Sequence, residues 1–456
     1  MLTPGAGSGL AEAFFQHIDF SGGAVAAVSG GSDSIALLVL LKHHLDCAFP
    51  AAPLLAVTVD HALRPGSGAE AAGVAAFCAA RGIPHRIMVW RGEKPAQGLP
   101  AAAREARYRL LAEAAAQSGI AAIATGHTAD DQAETVLMRQ ARGGGDGRGL
   151  AGMAPATLYG GKIWIVRPLL GVRRATLRAM LRGEGIAWAE DPTNVDKTFE
   201  RPRTRAALAA DEGKLHAALA LSESSARARL DLGLRAAALI RAHAGLPCAG
   251  LMRLAPAFAA VPDREAAIYA LRILLATAGG TRFLPDQRAA AALLEGIGAG
   301  PLRATLSRVV ADSRRSGIFL YREGRGLPPV SRVSGGSIWD GRRRITFGDA
   351  VASAVIAPLG AVAAAASDAE VAGVARSLVR RALAAEPVPF GTPGPAPSGL
   401  ESIARFAALP VAAPFLHFLS CLDLAPAGAV AALIGAAAIP PPPLRGHFGS
   451  PPCAEA

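Results

Sequence analysis

The stretch Ser29–Ser34 (Ser-Gly-Gly-Ser-Asp-Ser) carries the first residues of the chain whose types and spacing suit chemistry. Its two glycines allow positive φ angles and let a ligand come close to the backbone. In a turn that leads into a helix, the free N–H groups and the helix dipole favour an anion, and the serine hydroxyls add donors. Asp33 would repel a bare phosphate, so it predicts a divalent cation that joins its carboxylate to the phosphates.

A simpler interpretation of this stretch stays open, since Ser and Asp also cap ordinary tight turns. The pattern is neither the phosphate loop that ends in Gly-Lys-Ser/Thr nor the dinucleotide fingerprint. It does resemble the SGGxDS loop of the ATP pyrophosphatase (PP-loop) superfamily, whose members split ATP between the α- and β-phosphates and activate an oxygen as an adenylate. The resemblance implies ATP and Mg²⁺ as ligands, with Asp33 as the residue that holds the metal.

A second candidate cluster is acidic and lies within Gly126–Glu134. On a helix, Asp130 and Asp131 lie within about one turn of Glu134, and like charges at that spacing destabilise the helix unless a cation lies between them. Capping is the competing interpretation, because Thr128 with Asp131 resembles a capping box. His127 is compatible with a ligand, a base or a turn residue.

Alternating strands and helices must position these two clusters. Short apolar runs predict buried strands at residues 24–28, 53–59, 84–90, 120–125 and 163–170. Helical patterns follow the Ser29–Ser34 loop and recur at residues 69–80, 99–117 and 173–182. The alternation predicts an α/β fold with a doubly wound parallel sheet, in which ligands bind at the carboxyl ends of the strands. Asp60 and His61 fall at such an end.

Four regions are expected along the 456 residues. Residues 1–205 form the nucleotide-binding domain, 206–300 a helical domain, 301–390 a small α+β domain, and 391–456 a Pro-, Gly- and Ala-rich tail that is partly disordered. Two apolar stretches, 350–367 and 406–440, are nearly free of charge but are broken by Pro or Gly. We expect soluble segments there and no membrane span.

Composition limits the class of protein. The net charge of +11 comes mainly from arginine, which suits phosphate contacts and fits a nucleic-acid partner. A GC-rich genome that favours Arg and Ala explains the same bias equally well. The five cysteines are scattered without a C-x-x-C pair, which argues against a zinc ribbon, an iron–sulfur cluster or a disulfide framework. Without a signal pattern at the start, we expect a cytoplasmic protein.

Seven motifs follow one another along the first 205 residues or so: SGGSDS (29–34), VDHALR (59–64), AAREARY (102–108), ATGHTADDQAET (124–135), GLAGM (149–153), RPLL (167–170) and EDPTNVDKTFERPRTR (190–205). In that order they resemble the tRNA(Ile)-lysidine synthase family, and the rest of the chain resembles its C-terminal regions faintly. The family usually has Arg-Asn-Arg-Ile-Arg where this chain has Arg-Pro-Arg-Thr-Arg (201–205). Details of tRNA or interdomain contact are therefore expected to differ there.

The resemblance implies ligation of free L-lysine to C2 of the wobble cytidine in a CAU-anticodon tRNA(Ile). Cytosine O2 is a poor leaving group, so ATP first adenylates it with release of pyrophosphate, and AMP then leaves. The attacking amine must be neutral, although its usual pKa is about 10.4, and carboxylates beside it would keep it protonated. We therefore expect Asp131 and Glu134 to hold the α-ammonium of lysine, and Arg104 its carboxylate, while another group or a phosphate oxygen takes the proton.

The site residues that the resemblance implies fall into four groups. The catalytic residues are Asp33, Asp130 and Asp131. ATP is bound by Ser29, Gly30, Gly31, Ser32, Asp33, Ser34, His61 and Gly126, with Mg²⁺ on Asp33. Lysine is bound by Arg104, His127, Asp131 and Glu134. The tRNA is bound by Arg142, Arg148, Arg173, Arg174, Arg201, Arg203 and Arg205, and the helical domain at 206–300 is expected to contact it as well. The expected partners are the tRNA and free lysine, no membrane is involved, and a homodimer is allowed.

Rival functions stay open at this level. Another PP-loop tRNA-modifying enzyme is one, but a thiolating enzyme would be expected to carry the paired cysteines that this sequence lacks. A glutamine-dependent amide synthetase would need an ammonia source, and none is evident. A non-catalytic RNA-binding protein with a decayed loop is a rival from a different class, and the intact Asp33 with the acidic cluster argues against it.

Overall fold

The computed structural model describes residues 7–63, 66–143, 147–190, 200–348, 352–389 and 406–445. The chain divides into two compact units, Met1–Arg229 with Pro440–Ala456, and Leu230–Ile439. The division falls inside a long helix rather than near residue 205, where the first domain was expected to end. The finer division into four regions stays a prediction. None of the helices in the described ranges combines the length and apolar character that a membrane crossing needs.

A mainly parallel sheet organises the first unit. Its strands are β1 (Ala24–Ala27), β2 (Leu54–Asp60), β3 (His85–Val89), β4 (Ala122–Thr125), β5 (Ala156–Tyr159) and β6 (Ile163–Val166). They lie in the order β5-β6-β4-β1-β2-β3, and all neighbours are parallel except β5 and β6. Every residue of β1 and β4 is buried, as expected for central strands of a parallel sheet. The predicted α/β fold is confirmed.

The first unit also contains helices. They are α1 (Gly7–Phe15), α2 (Ser32–Ala48), α3 (Ser67–Ala79), α4 (Leu99–Gln117), α5 (Ala129–Ala141), α6 (Arg174–Gly183), α7 (Glu200–Ala209) and the start of α8 (Glu212–His243). Helices α2, α3 and α4 pack against strands of the sheet. Leu111 and Ala115 of α4 pack with Val25 and Val57 of the sheet in one buried cluster. This packing fixes the strand ends and so positions the residues that follow them.

Two details differ from the sequence-based expectation. The strand predicted over 163–170 ends at Val166. A turn begins at Arg167, because the Arg167 carbonyl accepts a hydrogen bond from the Leu170 N–H at 3.3 Å. The antiparallel strand β5 was not predicted. It is short, and its residues alternate between buried and half-buried, which gives a weaker pattern than the apolar runs of the central strands.

The second unit is built on antiparallel sheets, as the predicted α+β region requires. The strands β7 (Ala244–Cys248), β8 (Leu251–Leu254), β9 (Leu302–Leu306), β10 (Val309–Arg314) and β11 (Gly317–Arg322) form a sheet in the order β7-β8-β11-β10-β9. Two three-stranded sheets follow, formed by β12 (Ser331–Ser334), β13 (Ile338–Trp339), β14 (Arg343–Thr346), β15 (Ser353–Pro358), β16 (Pro387–Pro389) and β17 (Ala407–Pro410).

The remaining elements of the second unit are α9 (Arg264–Gly279), α10 (Gln287–Ala299), α11 (Gly360–Ala365), α12 (Arg376–Leu383), α13 (Ala413–Leu416), β18 (Phe418–Ser420) and α14 (Leu424–Ile434). The hairpin of β7 and β8 lies within the stretch 206–300 that was expected to be mostly helical. In the tail, residues 391–405 and 446–456 lie outside the described residues. Between them the chain forms regular elements, because apolar residues such as Leu419 and Val430 are buried.

Candidate active site

The predicted nucleotide loop joins β1 to α2 and is held by its own hydroxyl groups. Gly30 has a φ of 88°, in the left-handed region that favours glycine. Ser34 Oγ donates to the Gly31 carbonyl at 3.0 Å and accepts from the Ser29 N–H at 3.1 Å. Gly31 is the N-cap of α2 and provides no side-chain cap. The first N–H groups of α2 therefore face a position that suits an anion.

The ends of two neighbouring strands border this loop. A Cβ atom at Gly126, just after β4, would lie 2.7 Å from the Asp33 carbonyl oxygen and 3.1 Å from Ser34 Cα, so a side chain there would displace the loop. His61, just after β2, has a buried Nδ1 without a partner in the described structure, and its ring lies 6.0 Å from that of Trp90. Burial is the largest cause that lowers the pKa of His61.

Helix α5 begins with a capping box formed by Thr128 and Asp131, as expected if the acidic residues cap the helix. Asp131 Oδ2 accepts from both the N–H and the hydroxyl of Thr128 at 2.9 Å, and the Asp131 N–H donates to Thr128 Oγ1 at 3.4 Å. Capping uses only one carboxylate oxygen. The other, Oδ1, accepts from Arg174 at 2.9 Å and from Arg201 at 2.7 Å. Asp131 therefore caps the helix and faces two guanidinium groups at once.

Arg174, the first residue of α6, joins the nucleotide loop to the acidic helix. Its guanidinium donates to Asp33 Oδ2 at 2.7 Å, to Asp131 Oδ1 at 2.9 Å and to Glu134 Oε1 at 3.5 Å. Its backbone N–H donates to Asp130 Oδ2 at 2.7 Å. The side chains of Asp33, Asp131 and Glu134 are 19%, 10% and 1% exposed. The two candidate clusters therefore belong to one site.

Two arginines of α7 complete the contacts of Glu134. Arg201 Nε donates to Glu134 Oε2 at 2.7 Å, and Arg205 Nε donates to Oε1 at 2.8 Å. The two arginines are four residues apart and share one face of α7. Leu208 of the same helix packs with Val136 of α5 in a buried cluster. This apolar contact fixes α7 beside α5, so the arginines reach the acidic side chains.

The opposite charges of Asp131 and the arginines keep one another ionised. Burial tends to raise the pKa of Asp131, but the charges of Arg174 and Arg201 and the hydrogen bond from the Thr128 N–H outweigh it, so the pKa lies below its usual value. Burial likewise tends to lower the pKa of Arg174 and of Arg201, and the carboxylates reverse that effect and raise both. Asp131 is therefore an anion at neutral pH and the arginines stay charged.

His127 is neutral in this environment. Its Nδ1 lies 2.9 Å from Thr125 Oγ1. Burial is the largest cause that lowers its pKa well below 6.5, and the charges of Arg167 and Arg107 lower it further. A neutral imidazole beside the acidic helix can accept or donate one hydrogen bond, which suits contact with a polar ligand.

Arg107 is a basic residue of this site that was not assigned a role from the sequence. It is half-buried, and its positive charge acts on both His127 and Asp131. Arg104, the residue predicted to bind the lysine carboxylate, is exposed, and its guanidinium lies 5.1 Å from the ring centre of Tyr108. The signal for Arg107 was present, because it shares a helical face with Arg104.

The predicted tRNA contacts fall into two groups in the structure. Arg174, Arg201 and Arg205 face carboxylates of the acidic site. Arg173 lies at the edge of that site, with its Nε 3.5 Å from Asp130 Oδ2 and its Nη1 3.1 Å from Glu212 Oε1. The others lie elsewhere on the first unit: Arg142 in an ion pair with Glu200, Arg148 at the start of a 3₁₀ turn, and Arg203 exposed. Contact of either group with tRNA stays a prediction.

Two further side chains connect the site to its surroundings. Arg178, one turn after Arg174, donates to Ser32 Oγ at 3.2 Å. Gln132 Nε2 donates to the Met153 carbonyl at 3.0 Å, and its Oε1 accepts from the Met153 N–H at 2.7 Å. Gln132 thus binds α5 to the segment that contains the GLAGM motif. Neither role was predicted, since each depends on a partner distant in sequence.

The residues present fit a magnesium ion at Asp33. In the part of the chain that the structure describes, no group of three or more His, Cys, Asp or Glu could hold a metal. Asp33 offers a single carboxylate beside Ser32 Oγ, which donates to its Oδ1 at 3.0 Å. Magnesium is usually held by one or two carboxylates together with substrate phosphates, so the lone carboxylate suits it.

These features define the class of protein: a nucleotide-using α/β enzyme with a PP-loop at the end of the first strand. Residues 11–212 match the model of the PP-loop domain family. The tRNA(Ile)-lysidine synthase of Mesorhizobium japonicum is 58% identical over 446 residues, which cover 96% of this chain and 98% of that protein. The enzyme of the same name from Rhizobium meliloti is 44% identical over 327 residues, 69% and 71% of the two chains.

The chain belongs to the tRNA(Ile)-lysidine synthase family. Among solved structures, a U34-tRNA thiolase from Methanococcus maripaludis matches with a TM-score of 0.41 and 15% identity, over 48% of this chain and 77% of that one.

Proposed function

We propose that this chain ligates L-lysine to C2 of the wobble cytidine of tRNA(Ile) with a CAU anticodon, in two steps in one site. In the first, cytidine O2 attacks the α-phosphate of ATP and pyrophosphate leaves. In the second, the ε-amine of lysine attacks C2, the C2–O bond breaks and AMP leaves with its electron pair, while the amine gives up a proton to a phosphate oxygen or another acceptor in the site. One observation carries the proposal: a single guanidinium, that of Arg174, contacts Asp33 at 2.7 Å and Asp131 at 2.9 Å.

The nucleotide end of the site is assigned to the loop at the end of β1. The N–H groups at the start of α2 and the hydroxyls of the loop would bind the pyrophosphate part of ATP. Asp33 would hold Mg²⁺, which neutralises charge on the phosphates when bound. His61, neutral and beside Trp90, lies at the neighbouring strand end, where the rest of the nucleotide would bind.

The amino-acid end is assigned to the acidic helix. The side chains of Asp131 and Glu134 are buried acidic groups that suit the α-ammonium of lysine, and Arg104 and Arg107 on α4 suit its carboxylate. Holding both α-groups leaves the ε-amine as the free nucleophile, at a distance from the carboxylates that would keep it protonated. Whether the chain forms the homodimer that the sequence allows can be measured by light scattering of the purified protein.

The test is incubation of the full chain with ATP, Mg²⁺, labelled L-lysine and an unmodified CAU-anticodon tRNA(Ile) transcript. We expect label in the RNA and one AMP released per lysine incorporated. A tRNA(Met) transcript with the same anticodon is the matched control and should take up little label. Release of AMP without label in the RNA would contradict the assignment of lysine as the nucleophile. The absence of both products would favour the non-catalytic alternative.

A further inference from the structure

Guanidinium groups occupy the oxygens on which the proposed lysine site depends. Arg174, Arg201 and Arg205, here called the arginine cage, donate to Asp131 Oδ1 and to both oxygens of Glu134. The second oxygen of Asp131 is used by the capping box. Each carboxylate oxygen of this acid pair already accepts from two donors, which uses both of its lone pairs. An α-ammonium can therefore bind only if a guanidinium gives up its contact.

Repulsion between like charges leads to the same conclusion about the binding of lysine. Three guanidinium groups face the two carboxylates of the acid pair, and Arg174 is also paired with Asp33, which offsets its charge in the present structure. Lysine is itself a cation at neutral pH, and guanidinium groups in contact with the acid pair oppose its binding. Removal of one cage member would weaken that repulsion and free a carboxylate lone pair at the same time.

Arg174 is the cage member that also contacts the nucleotide loop, through Asp33 Oδ2. It lies between the two substrate positions and is only 14% exposed, so an anion in the loop would act on it at short range. Arg201 and Arg205, on α7, are 45% and 33% exposed. Arg174 is therefore the cage member best placed to respond to a nucleotide.

We propose that Arg174 is a positioning residue through which nucleotide binding prepares the lysine site. The proposal rests on the proposed function above. Phosphates in the loop offer its guanidinium a bidentate anion, while a metal ion supplies Asp33 with the positive charge that Arg174 provides in the present structure. Arg174 then exchanges the acid pair for the phosphates. Asp131 Oδ1 becomes available to an ammonium group, and lysine binds after ATP.

Such coupling is reciprocal and can be measured without catalysis. We would titrate L-lysine into the full chain by calorimetry, first alone and then with Mg²⁺ and α,β-methylene-ATP, which cannot be cleaved between the α- and β-phosphates. We expect the analogue to raise lysine affinity by about fivefold or more, the lower end of typical coupling between sites. The affinity for the analogue should rise by the same factor when lysine is present.

Arg174→Gln removes the coupling residue. This variant should bind lysine without nucleotide about as tightly as the wild-type chain binds it with the analogue, and the analogue should then change its affinity by less than about twofold. Arg182→Gln is the matched control, because Arg182 lies on the same helix, is exposed and has its guanidinium 5.7 Å from the ring centre of Trp188. It should keep the wild-type response.

Two results would overturn the proposal. One is a wild-type lysine affinity that is the same with and without the analogue, a comparison that needs no variant. The other is a folded Arg174→Gln variant that binds lysine more weakly by the same factor in both conditions, because Arg174 would then only support the acid pair. A chain that binds no lysine in any condition would instead remove the proposed function, and the ligation assay would show that loss separately.

Discussion

Glu134→Gln tests the assignment of the amino-acid end of the site. Glu134 is 1% exposed and accepts from Arg201 at 2.7 Å and Arg205 at 2.8 Å. The substitution keeps the shape of the side chain and removes its charge. If Glu134 holds the α-ammonium of lysine, the variant loses one charge-assisted hydrogen bond, and the remaining guanidinium groups repel the ligand more strongly.

The expected magnitude follows from the strength of that bond. A hydrogen bond to a charged group contributes about 1.5–3 kcal/mol. At about 1.4 kcal/mol per factor of ten, the KM for lysine should rise by roughly 10- to 150-fold. The KM for ATP should change by less than about threefold. Glu134 is connected to the nucleotide loop through Arg174, and that contact is long, at 3.5 Å, and therefore weak.

Initial rates of AMP release at saturating tRNA give the KM for lysine when lysine is varied and the KM for ATP when ATP is varied.

The free energy of unfolding of the variant must be measured as well. Arg201 and Arg205 are 45% and 33% exposed, so after the substitution they can turn to water, and we expect a loss of only about 1–3 kcal/mol. Glu113→Gln, which removes an exposed partner 4.0 Å from Arg109, is the control. A rise in the KM for ATP with an unchanged KM for lysine would refute the assignment.

Three further predictions address the loop, its neighbour and pH. Asp33→Asn should abolish AMP formation while filter binding of tRNA is retained, and loss of both would mean that Asp33 is structural. Gly126→Ala places a Cβ 2.7 Å from the Asp33 carbonyl oxygen. This variant should bind the ATP analogue at least about tenfold more weakly and should be less stable by about 1–3 kcal/mol. Unchanged binding would show that the loop can move away from the new Cβ without losing its affinity for the nucleotide. The pKa of His127 lies well below 6.5 in the folded chain, and burial is the largest cause. As the pH falls below about 6.5, His127 of the unfolded chain takes up a proton before His127 of the folded chain does. The folded chain therefore loses stability as the pH falls from about 6.5 toward the folded pKa. The melting temperature of His127→Gln should fall less over that window than that of the wild-type chain, and equal falls would contradict this.

The sequence predicted those parts of the molecule that depend on local patterns. The nucleotide loop follows a short apolar strand and precedes an apolar helical stripe, and both signals are contained in about twenty residues. The capping box of Thr128 and Asp131 was likewise visible, because its two residues are three apart. The prediction that the loop and the acidic helix share a site came from strand order, and the contacts of Arg174 with Asp33 and Asp131 fit it.

The sequence did not predict contacts between side chains that are far apart along the chain. Arg174, Arg201 and Arg205 were assigned to tRNA, which stays a prediction, and arginine is a general phosphate ligand. Their contacts with Glu134 depend on how α6 and α7 pack against α5, and that packing is set by tertiary contacts such as Leu208 with Val136. Periodicity identifies the buried face of a helix, but it does not say which neighbour that face meets.

Asp131 has a consequence for any attempt to redesign this cluster. One of its oxygens caps the start of helix α5 and the other accepts from Arg174, so a single carboxylate both starts a helix and pairs with a guanidinium group. We expect a shorter, longer or uncharged replacement to weaken the pairing with the arginines and to destabilise the first turn of the helix at the same time. Variants that change the charge of this cluster are therefore better made at Glu134 and α7, where side chains can change while the start of the helix is left intact.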